Sequence, residues 1–559
     1  MINYKEHIKD KLGLSDEAAS LIVKTADESM GDFSLPCFRL AKEFHKAPQA
    51  IAAEFAASLS SDQFIDKAEA VNGYLNVFLK KSVVCRDVVQ EIAAKGANYG
   101  SSDEGNGKTI CIDYSSVNIA KSLHIGHLGT TAIGNSLYKL FENLGYKVVG
   151  INHLGDYGTQ FGKMIVAYKL WGNDDEIAKD GAKALQRIYV KYHVEAEKDP
   201  SLDDQARAWF AKIEQGDEEA TELFNYFKKI TLEDVCRTYD RLGVKFDSWN
   251  GESFYNDKMA APLKFLEEKG LVTESDGAKI VDLSDYGMAP CLLVKSDGSS
   301  LYATRDIAAA FYRKETYDFD KCLYVVAYQQ NLHFKQLFKV LELAGLDWAK
   351  DMVHVAYGMV SLEEGAMSTR KGNTVFLEDV LNKAVEKSYD IICQKNPALD
   401  GKEKIAEQIG VGAVLFSALE NARIKDITFT FDRVLNFEGE TSPYLQYTHA
   451  RCSSILNKAG KQTADPDYSA LDDAESMSLA KLLAAFPEIV RESADKYEPS
   501  VLSKYLIDVA QAFNRFYIAR RVLSDEEGVR AARVGMVAST KTVLAKGLSL
   551  LGIAAPEQM

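Results

Sequence analysis

The chain has 559 residues, more than one hydrophobic core usually supports, so several domains are expected. It carries 66 bases against 81 acids, and its net charge of −15 argues against a dedicated DNA- or RNA-coating protein. Any RNA contact must then come from local basic faces. No apolar run approaches the roughly 20 residues that a membrane helix needs, and the N-terminus does not resemble a secretory signal. A cytoplasmic protein without a membrane span is expected.

Two local patterns resemble functional sites but fail on their surroundings. The eight cysteines are scattered with no C-x-x-C pair, so they predict buried reduced thiols rather than zinc or a redox couple. The segment GNGKT ends like a phosphate-binding P-loop, but Ser102 stands where its first glycine should be, and a strand follows it instead of a helix. A solvated linker fits it better.

The first half of the chain contains two different patterns. Residues 1–105 mix α and β patterns and end in the glycine-rich stretch NYGSSDEGNGK, which predicts a linker. From Thr109, ICIDYS predicts a strand. Apolar residues then recur at helical spacing from Ile125 to Leu144 and stop at Gly145, and KVVGI predicts a second strand. Strand, helix and strand form one βαβ unit of a parallel sheet.

The sheet is predicted to resume after an insertion. CLYVVA predicts a strand, HFKQLFKVLELAG a helix and VHVAYGMV a further strand, whereas residues from about 161 to 301 contain charged helical segments. After residue 377 helical periodicity dominates, as in a bundle. We therefore predict a multidomain α/β protein with a Rossmann-like parallel sheet, an N-terminal α+β domain and a C-terminal all-α bundle. The predicted boundaries are 1–105, 106–376 with the helical insertion, 377–430 as a helical connector, and 431–559.

The most informative segment is LHIGHLGTTAIGNSL, in which two histidines stand where the predicted helix begins. His124 and His127 are three residues apart, so they share one face beside unpaired backbone N–H groups and the positive end of the helix dipole. Gly126 between them lets a nucleotide approach the backbone closely. The pattern predicts a site for a phosphate chain. Taken alone, it could also be a pair of polar histidines at a helix end.

The segment His124-Ile125-Gly126-His127 resembles the first signature of the class I aminoacyl-tRNA synthetases. The wider stretches DYSSVNIAKSLHIGHL and NHLGDYGTQFG resemble the arginyl enzymes of that class. One departure is Val117, where the arginyl family usually has proline. The resemblance implies that His124 and His127 bind the ATP phosphates and stabilise charge that develops at the α-phosphate, and that neither is a covalent nucleophile.

The second class I signature, K-M-S-K-S, corresponds to AMSTRKGN in this chain. Met367 and Ser368 match, whereas Ala366 and Thr369 occupy the two lysine positions. Arginyl enzymes often have this form together with a compensating lysine before the histidine motif, which here is Lys121. Because charged, glycine-containing loops can close over a triphosphate, the resemblance implies an ATP site made of several residues. Its members are His124, Gly126, His127, Met359, Met367, Ser368, Arg370 and Lys371, with Lys121 as a catalytic cation.

Substrate choice can be argued from charge, because a guanidinium that leaves water must be met by carboxylates and other acceptors. By motif similarity the arginine-binding set is Asp113, Asn118, Tyr302, Asp306 and Gln330. The resemblance implies that Asn118 holds the backbone end of the amino acid, and that Tyr302 and Asp306 hold the guanidinium. Gln329 remains an alternative to Gln330. The same pocket is expected to be shaped by two further polar residues, Asp156 and Gln160.

Both flanks also resemble the family, so the resemblance covers nearly the whole chain. The N-terminal domain is similar to the appended domain that arginyl enzymes place against the tRNA elbow, and the C-terminal bundle to their helical anticodon-binding domain. Tyr444, Tyr447, His449 and Arg451 could stack on or bond to unpaired bases, although core packing is the alternative for the tyrosines. Whether the bases in residues 514–521 contact RNA is left open.

The resemblance implies an arginine–tRNA ligase whose partners are L-arginine, ATP with Mg²⁺ on its phosphates, and tRNA(Arg). DNA and membrane are not expected partners, and a monomer is expected. Two alternatives are weighed: another H-x-G-H nucleotidyltransferase or class I synthetase, and a noncatalytic RNA-binding paralogue. Small nucleotidyltransferases would not need the helical C-terminal domain. A noncatalytic paralogue would be expected to lose the histidines or the acids, which are all present.

Overall fold

The computed structural model describes residues 3–25, 27–60, 62–296, 302–362 and 375–559. Within these ranges the chain forms an N-terminal α+β domain, a central parallel sheet with an insertion, and a C-terminal helical bundle. The predicted fold class is confirmed.

The N-terminal domain contains an antiparallel sheet with the strand order β1-β2-β4-β3, covered by helices. Its last hairpin turns at Asn72 and Gly73, which both have positive φ, as a two-residue Asn-Gly turn requires. Helix α5 follows this sheet and packs against two helices of the C-terminal bundle. The elements are α1 (Tyr4–Leu12), α2 (Asp16–Ser20), β1 (Val23–Lys24), β2 (Phe33–Pro36), α3 (Ala41–Phe44), α4 (Pro48–Ser58), β3 (Ile65–Val71), β4 (Tyr74–Leu79) and α5 (Lys81–Lys95).

The central sheet is built from four described strands, all parallel, in the order β11-β10-β5-β6. The predicted βαβ unit is β5 (Thr109–Asp113), α6 (Leu128–Asn143) and β6 (Lys147–Ile151). The chain moves from β5 toward β6 on one side and from β10 toward β11 on the other, so the strand order reverses between β5 and β10. In an open parallel sheet such a switch point leaves a crevice at the carboxyl ends of the strands. Asp113 and Tyr324, which end β5 and β10, are register partners there.

The insertion between the two halves of the sheet is helical only in part. Its elements are α7 (Thr159–Trp171), α8 (Asp174–Asp180), α9 (Ala182–Ala196), α10 (Ser201–Glu214), α11 (Glu218–Leu242), α12 (Ala260–Glu268), β7 (Val272–Ser275), β8 (Ala278–Val281) and β9 (Cys291–Val294). The three strands form an antiparallel sheet that the prediction of a helical insertion did not include. The signal was present, since Asp276 and Gly277 form a two-residue turn with positive φ between β7 and β8.

The second half of the sheet follows the prediction except at its last strand. It consists of α13 (Tyr302–Tyr317), β10 (Lys321–Tyr324), α14 (Asn331–Leu343) and β11 (Met352–His354). VHVAYGMV is not one strand, because the chain leaves the central sheet after β11 and forms β12 (Val360–Leu362), which pairs with β13 (Ile427–Phe429). At Gly358 a Cβ would lie 2.3 Å from the carbonyl oxygen of Lys425, so only glycine allows this close approach.

The C-terminal bundle packs directly against helix α6 of the central sheet. Its elements are α15 (Leu377–Lys395), α16 (Lys402–Leu419), α17 (Phe431–Val434), α18 (Ser442–Ala459), α19 (Ala474–Asp495), α20 (Pro499–Ala519) and α21 (Glu527–Leu550). Helices α16 and α19 pack against α6, and Ser136 of α6 donates a hydrogen bond to the carbonyl oxygen of Leu550 at 3.0 Å. The helix that carries the histidine motif is therefore also a docking surface for the bundle.

All eight cysteines are free thiols, and six of them are buried. Among the described residues no helix is both long and apolar enough to cross a membrane.

Candidate active site

The loop after β5 has an unusual backbone that its surroundings hold in place. Ser115, Ser116 and Ala120 have positive φ, which costs free energy for residues other than glycine. The backbone N–H of Ser115 donates to the Thr130 hydroxyl of α6 at 2.9 Å, and that of Ala120 donates to the Thr231 hydroxyl of α11, also at 2.9 Å. The loop is thus fixed between the histidine-bearing helix and the insertion.

Val117, the departure from the usual proline, uses the group that proline lacks. Its backbone N–H donates to the side-chain oxygen of Asn152 at 3.4 Å, and its carbonyl oxygen accepts from the N–H of Gly155 at 2.8 Å. The next residue, Asn118, is exposed although its neighbours in the loop are buried. A Cβ at Gly155 would meet the Asn118 side-chain oxygen at 2.3 Å. Gly155 therefore determines where the Asn118 amide lies.

We expect Gly155→Ala to act through Asn118. The added methyl group must push the amide aside, and a displacement of about 1 Å in a substrate-positioning group can lower kcat/KM for arginine by up to about 10²-fold. Steady-state kinetics on Gly155→Ala, Asn118→Ala and the double variant would test this. The double variant should be no slower than Asn118→Ala alone; additive losses would contradict the idea.

His124 and His127 form hydrogen bonds with the backbone of their own turn. This turn contains the 3₁₀-helical residues Ile125–His127 and precedes α6. The N–H of Gly126 donates to Nδ1 of His124 at 3.1 Å, and the N–H of His124 donates to Nδ1 of His127 at 3.2 Å. The N–H of Ile125 donates to the Val375 carbonyl oxygen at 3.0 Å. The prediction that unpaired backbone N–H groups surround the histidines is therefore wrong, because the two rings cap them.

Burial keeps both rings neutral, and the backbone contacts determine which nitrogen carries the proton. Burial lowers the pKa of His124 to about 4, with a contribution from the charge of Lys121. Burial, and then the neighbouring His124, lower the pKa of His127 to about 3. Both rings are therefore neutral near pH 7. Since Nδ1 accepts a hydrogen bond in each ring, the proton lies on Nε2. The ring centroids are 4.0 Å apart, so the pair offers two neighbouring Nε2–H donors.

Lys121 lies close enough to both histidines for its charge to lower the pKa of each. It is half-buried, and its ammonium nitrogen lies 5.6 Å from the centroid of the Tyr189 ring on α9. The structure therefore brings together the three residues predicted to be catalytic, His124, His127 and Lys121. The remaining ATP-site residues are less informative: Met359 is partly exposed at the start of β12, and Met367, Ser368, Arg370 and Lys371 lie outside the described residues.

Asp113 is paired within the chain. One carboxylate oxygen accepts from Nη2 of Arg313 at 2.6 Å, and the other accepts from the Ser116 hydroxyl at 2.9 Å. Both members of the Asp113–Arg313 pair are buried, with side-chain exposures of 7% and 1%. The chain thus supplies a guanidinium to Asp113, and the contact of Asp113 with substrate arginine stays a prediction.

Asp306 is the more accessible carboxylate, with about 25% of its side chain exposed. Its Oδ2 lies 2.6 Å from Nε2 of His333, and its Oδ1 lies 4.0 Å from Nε2 of His153. Although burial opposes ionisation, the hydrogen bond from His333 and the charges around it hold the pKa of Asp306 below its usual range. His153 also lies 3.4 Å from Nη2 of Arg313, so the two predicted acids share one network.

The other predicted pocket residues are placed with varying clarity. Tyr302 begins α13, one turn before Asp306, and is 65% exposed. Gln329 and Gln330 are both exposed in the turn before α14, so their positions do not separate the two alternatives. Asp156 is buried and pairs with Lys228 at 2.7 Å, and Gln160 donates to backbone carbonyl oxygens. Both are therefore engaged in contacts within the chain, and their part in shaping the pocket stays a prediction.

Sequence reasoning missed three groups in this pocket: His153, His333 and Glu252. The pKa of Glu252 is raised to about 7, mainly by burial; Arg305 opposes this shift, and the charges of Asp306 and Asp156 add to it. Among the described residues, Oε2 of Glu252 is buried without a hydrogen-bond partner. A cationic ligand would satisfy that oxygen. No motif around Glu252 indicated this, because its neighbours in the pocket come from distant parts of the chain.

A second groove lies on the C-terminal bundle, with a volume of about 920 Å³. Tyr447 is 42% exposed, and the guanidinium of Arg451 lies 4.8 Å from the centroid of its ring. Arg451 also donates to the Asn514 side-chain oxygen at 2.7 Å, and Asn514 donates to the Tyr444 hydroxyl. His449 is only 1% exposed, and its Nδ1 hydrogen-bonds the Pro556 carbonyl oxygen. The His449 ring therefore packs in the core of the bundle, and its predicted contact with RNA stays a prediction.

Three family models match consecutive parts of the chain. Residues 3–79 match the arginyl tRNA synthetase N terminal domain. Residues 88–431 match the catalytic domain of the class I (R) tRNA synthetases. Residues 445–559 match the DALR anticodon binding domain.

Curated proteins and solved structures agree with these matches. The chain is 51% identical to the arginine–tRNA ligase of Clostridioides difficile (strain 630), covering 99% of this chain and 98% of that protein. It is 49% identical to the arginine–tRNA ligase of Alkaliphilus metalliredigens (strain QYMF), with both chains fully covered. The Thermus thermophilus arginyl-tRNA synthetase superimposes with a TM-score of 0.82 at 30% identity, covering 100% of this chain and 99% of that one. The chain therefore belongs to the arginyl-tRNA synthetases of class I, the family of arginine–tRNA ligases.

Proposed function

We propose that the crevice between β5 and β10 binds arginine and ATP and carries out both steps of the arginine–tRNA ligase reaction. One observation supports this most strongly. Two neutral histidines whose Nε2–H donors are not used by the turn, and an ionised, partly exposed Asp306, lie around the carboxyl ends of the same parallel sheet. The two histidine donors can bind a phosphate chain, and Asp306 can bind a guanidinium.

In the amino-acid pocket, Asp306 binds the guanidinium and Glu252 supplies a second carboxylate. Asn118 binds the backbone end of arginine, and Tyr302 and Gln330 complete the acceptors. Asp113 acts indirectly: through Arg313 it fixes the pocket wall beside His153. These roles follow from the exposure of Asp306 and from the unpartnered oxygen of Glu252 among the described residues.

In the first step, a carboxylate oxygen of arginine attacks the α-phosphorus of ATP, and the bond to the bridging oxygen of pyrophosphate breaks. The Nε2–H groups of His124 and His127 donate to the phosphate oxygens as charge develops, without transferring a proton. In the second step, the 2′-hydroxyl of the tRNA 3′-terminal adenosine attacks the arginyl carbonyl carbon and AMP leaves. Positioning and electrostatics account for the catalysis.

The remaining ATP contacts are assigned to Met359, Met367, Ser368, Arg370 and Lys371. Mg²⁺ would be carried by the phosphate oxygens of ATP. Among the described residues no group of three or more histidine, cysteine or acidic side chains lies together to hold it. No step of this proposal depends on a protein ligand to Mg²⁺.

We assign the two flanking domains to tRNA(Arg). The exposed Tyr447, with Arg451 over its ring, offers a surface on which an unpaired anticodon base can stack. Residues 1–105 would contact the tRNA elbow, 377–430 would connect the sheet to the bundle, and 431–559 would bind the anticodon. The enzyme is proposed to act in the cytoplasm as a monomer.

One assay tests the whole assignment. ATP–pyrophosphate exchange should be measured with each amino acid, with and without tRNA(Arg). Exchange with arginine alone among the amino acids supports the proposed pocket. Exchange with another amino acid at a comparable rate would contradict it, and no exchange with any would favour a noncatalytic RNA-binding role.

Lys121 is expected to supply the cation that Thr369 does not. Pyrophosphate departure builds negative charge, so Lys121→Ala should lower the rate of adenylate formation far more than it weakens ATP binding. Thr369→Lys should partly restore the rate, because both positions would then serve one charge. Single-turnover kinetics on the single and double variants would measure this. A normal rate in Lys121→Ala, or no rescue, would transfer the role to Arg370 or Lys371.

A further inference from the structure

In the empty pocket, Asp306 already has a partner. Nε2 of His333, in the first turn of α14, lies 2.6 Å from Oδ2 of Asp306 on α13. Both side chains are about one quarter exposed, so the pair lies at the pocket surface rather than in the core. The other oxygen, Oδ1, has His153 at 4.0 Å, which is too far for a hydrogen bond.

A guanidinium that binds a carboxylate in the bidentate manner needs both of its oxygens. Oδ1 of Asp306 can be approached without breaking a hydrogen bond to His153, but Oδ2 is occupied by His333. The incoming arginine and His333 therefore compete for the same oxygen. Binding of two cations to one carboxylate in a partly buried site is unfavourable, because the cations repel each other at close range.

We propose that His333 is a positioning and specificity-determining residue that holds Asp306 in the empty pocket and is displaced by the substrate guanidinium. This inference rests on the proposed role of Asp306. As arginine binds, the imidazolium of His333 releases one proton to solvent and the neutral ring moves off Oδ2. Citrulline is an analogue with the size of arginine but no charge. It would displace the imidazolium of His333 from Asp306 without supplying another cation, so it should bind poorly.

The surroundings of His333 leave few other groups that could release this proton. Burial lowers the pKa of His153, at the end of β6, and of His354, on β11, so both are neutral near pH 7. Burial raises the pKa of the Cys291 thiol on β9 to about 12. Other charges on α14 and the elements that pack against it include Arg305, Lys314 and Glu315 on α13; Arg313, paired with Asp113; Lys339, paired with Glu342; Lys335; and, at the far end, Asp347, Lys350 and Asp351. Glu252 has a pKa raised to about 7, so it can also exchange a proton in this pH range, and the experiment needs a control variant at this residue.

The His333–Asp306 pair determines the direction in which arginine affinity changes with pH. Burial alone would lower the pKa of His333, but the hydrogen bond to Asp306 and its charge raise that pKa above the usual value for histidine. The ring is therefore protonated in the empty pocket on the acid side of this raised pKa. Arginine affinity should increase as the pH rises through it, by up to about tenfold per pH unit for one released proton.

The test is isothermal calorimetry of arginine binding to the full-length chain between pH 6 and 8.5. Buffers of different ionisation enthalpy would report the number of protons released. His333→Gln keeps a donor for Oδ2 without the charge, so it should flatten the pH dependence, abolish the proton release that His333 contributes and strengthen citrulline binding relative to arginine. Glu252→Gln is the matched control, and it should keep the part of the pH dependence that belongs to His333.

Each outcome bears on a different assignment. If His333→Gln keeps the wild-type pH dependence and proton release while Glu252→Gln removes them, the proposal for His333 is overturned and Glu252 is the titrating group. If Asp306→Asn leaves arginine affinity unchanged, the role of Asp306 is wrong and the His333 proposal fails with it. Weakened binding in Asp306→Asn, together with a flat profile in His333→Gln, supports both.

Discussion

His127→Ala is expected to lower the rate of adenylate formation by about 10²–10³-fold, the loss typical of one transition-state hydrogen-bond donor. The physical reason is the orientation of the ring. Because Nδ1 accepts from the backbone N–H of His124, Nε2–H is the donor left for the phosphate oxygens. Burial keeps the pKa of His127 at about 3, so this donor is neutral and its role should not change between pH 6 and 8.

Two further variants separate catalysis from capping of the turn. His127→Asn places an acceptor near the position of Nδ1, so it can retain the bond from the His124 N–H while losing the outer donor. His127→Gln places an N–H near the position of Nε2 and loses the cap. If the donor matters, His127→Gln should recover more of the single-turnover rate than His127→Asn. The opposite order, with lowered thermal stability in His127→Gln, would assign the residue to the structure of the turn.

The features that were predicted correctly are those with short-range signals. The βαβ unit from Thr109 to Ile151 follows from local periodicity and one glycine, because strands and helices of a parallel sheet are each built from contiguous residues. The histidine motif was located for the same reason. The antiparallel sheet of the insertion could also have been predicted, since Asp276 and Gly277 have the residue types that a two-residue hairpin turn requires.

The contacts that the sequence did not indicate join residues far apart in the chain. Asp113 pairs with Arg313, which comes 200 residues later. His449 hydrogen-bonds the Pro556 carbonyl oxygen, which lies 107 residues later. Burial of a polar group depends on which segments meet in the fold, and a sequence pattern around the residue does not contain that information.

The same reason explains the missed residues of the pocket. His153 and His333 lie near Asp306, and the charge of Asp306 also acts on Glu252, yet none of the three stands in a motif that indicates an acid network. They meet because the segments that follow β6, α11 and β10 come together at α13. The family motifs indicated the acids of this cluster but not the groups that set their charge.

Asp306→Asn is expected to weaken arginine binding by about 2–5 kcal/mol, because it keeps the shape of the side chain and removes the charge that faces the guanidinium in a partly buried site. ATP affinity should change little, since the phosphate donors lie on the His124–His127 turn rather than in this network. Calorimetry with each ligand would measure both affinities. Equal losses for arginine and ATP would show that Asp306 is structural.

The matched control is Asp113→Asn, which makes the same chemical change at the other acid of the network. Arg313 would then remain buried without its ion pair, so the main effect should be a loss of about 3–5 kcal/mol in the free energy of unfolding. Asp306→Asn should lose less stability, because Asp306 is more exposed and its partner His333 can become neutral by releasing a proton. Comparing denaturant unfolding with arginine binding in the two variants separates the acid that binds the substrate from the acid that supports the pocket. If Asp113→Asn weakens arginine binding while the protein keeps its stability, the roles of the two acids must be exchanged.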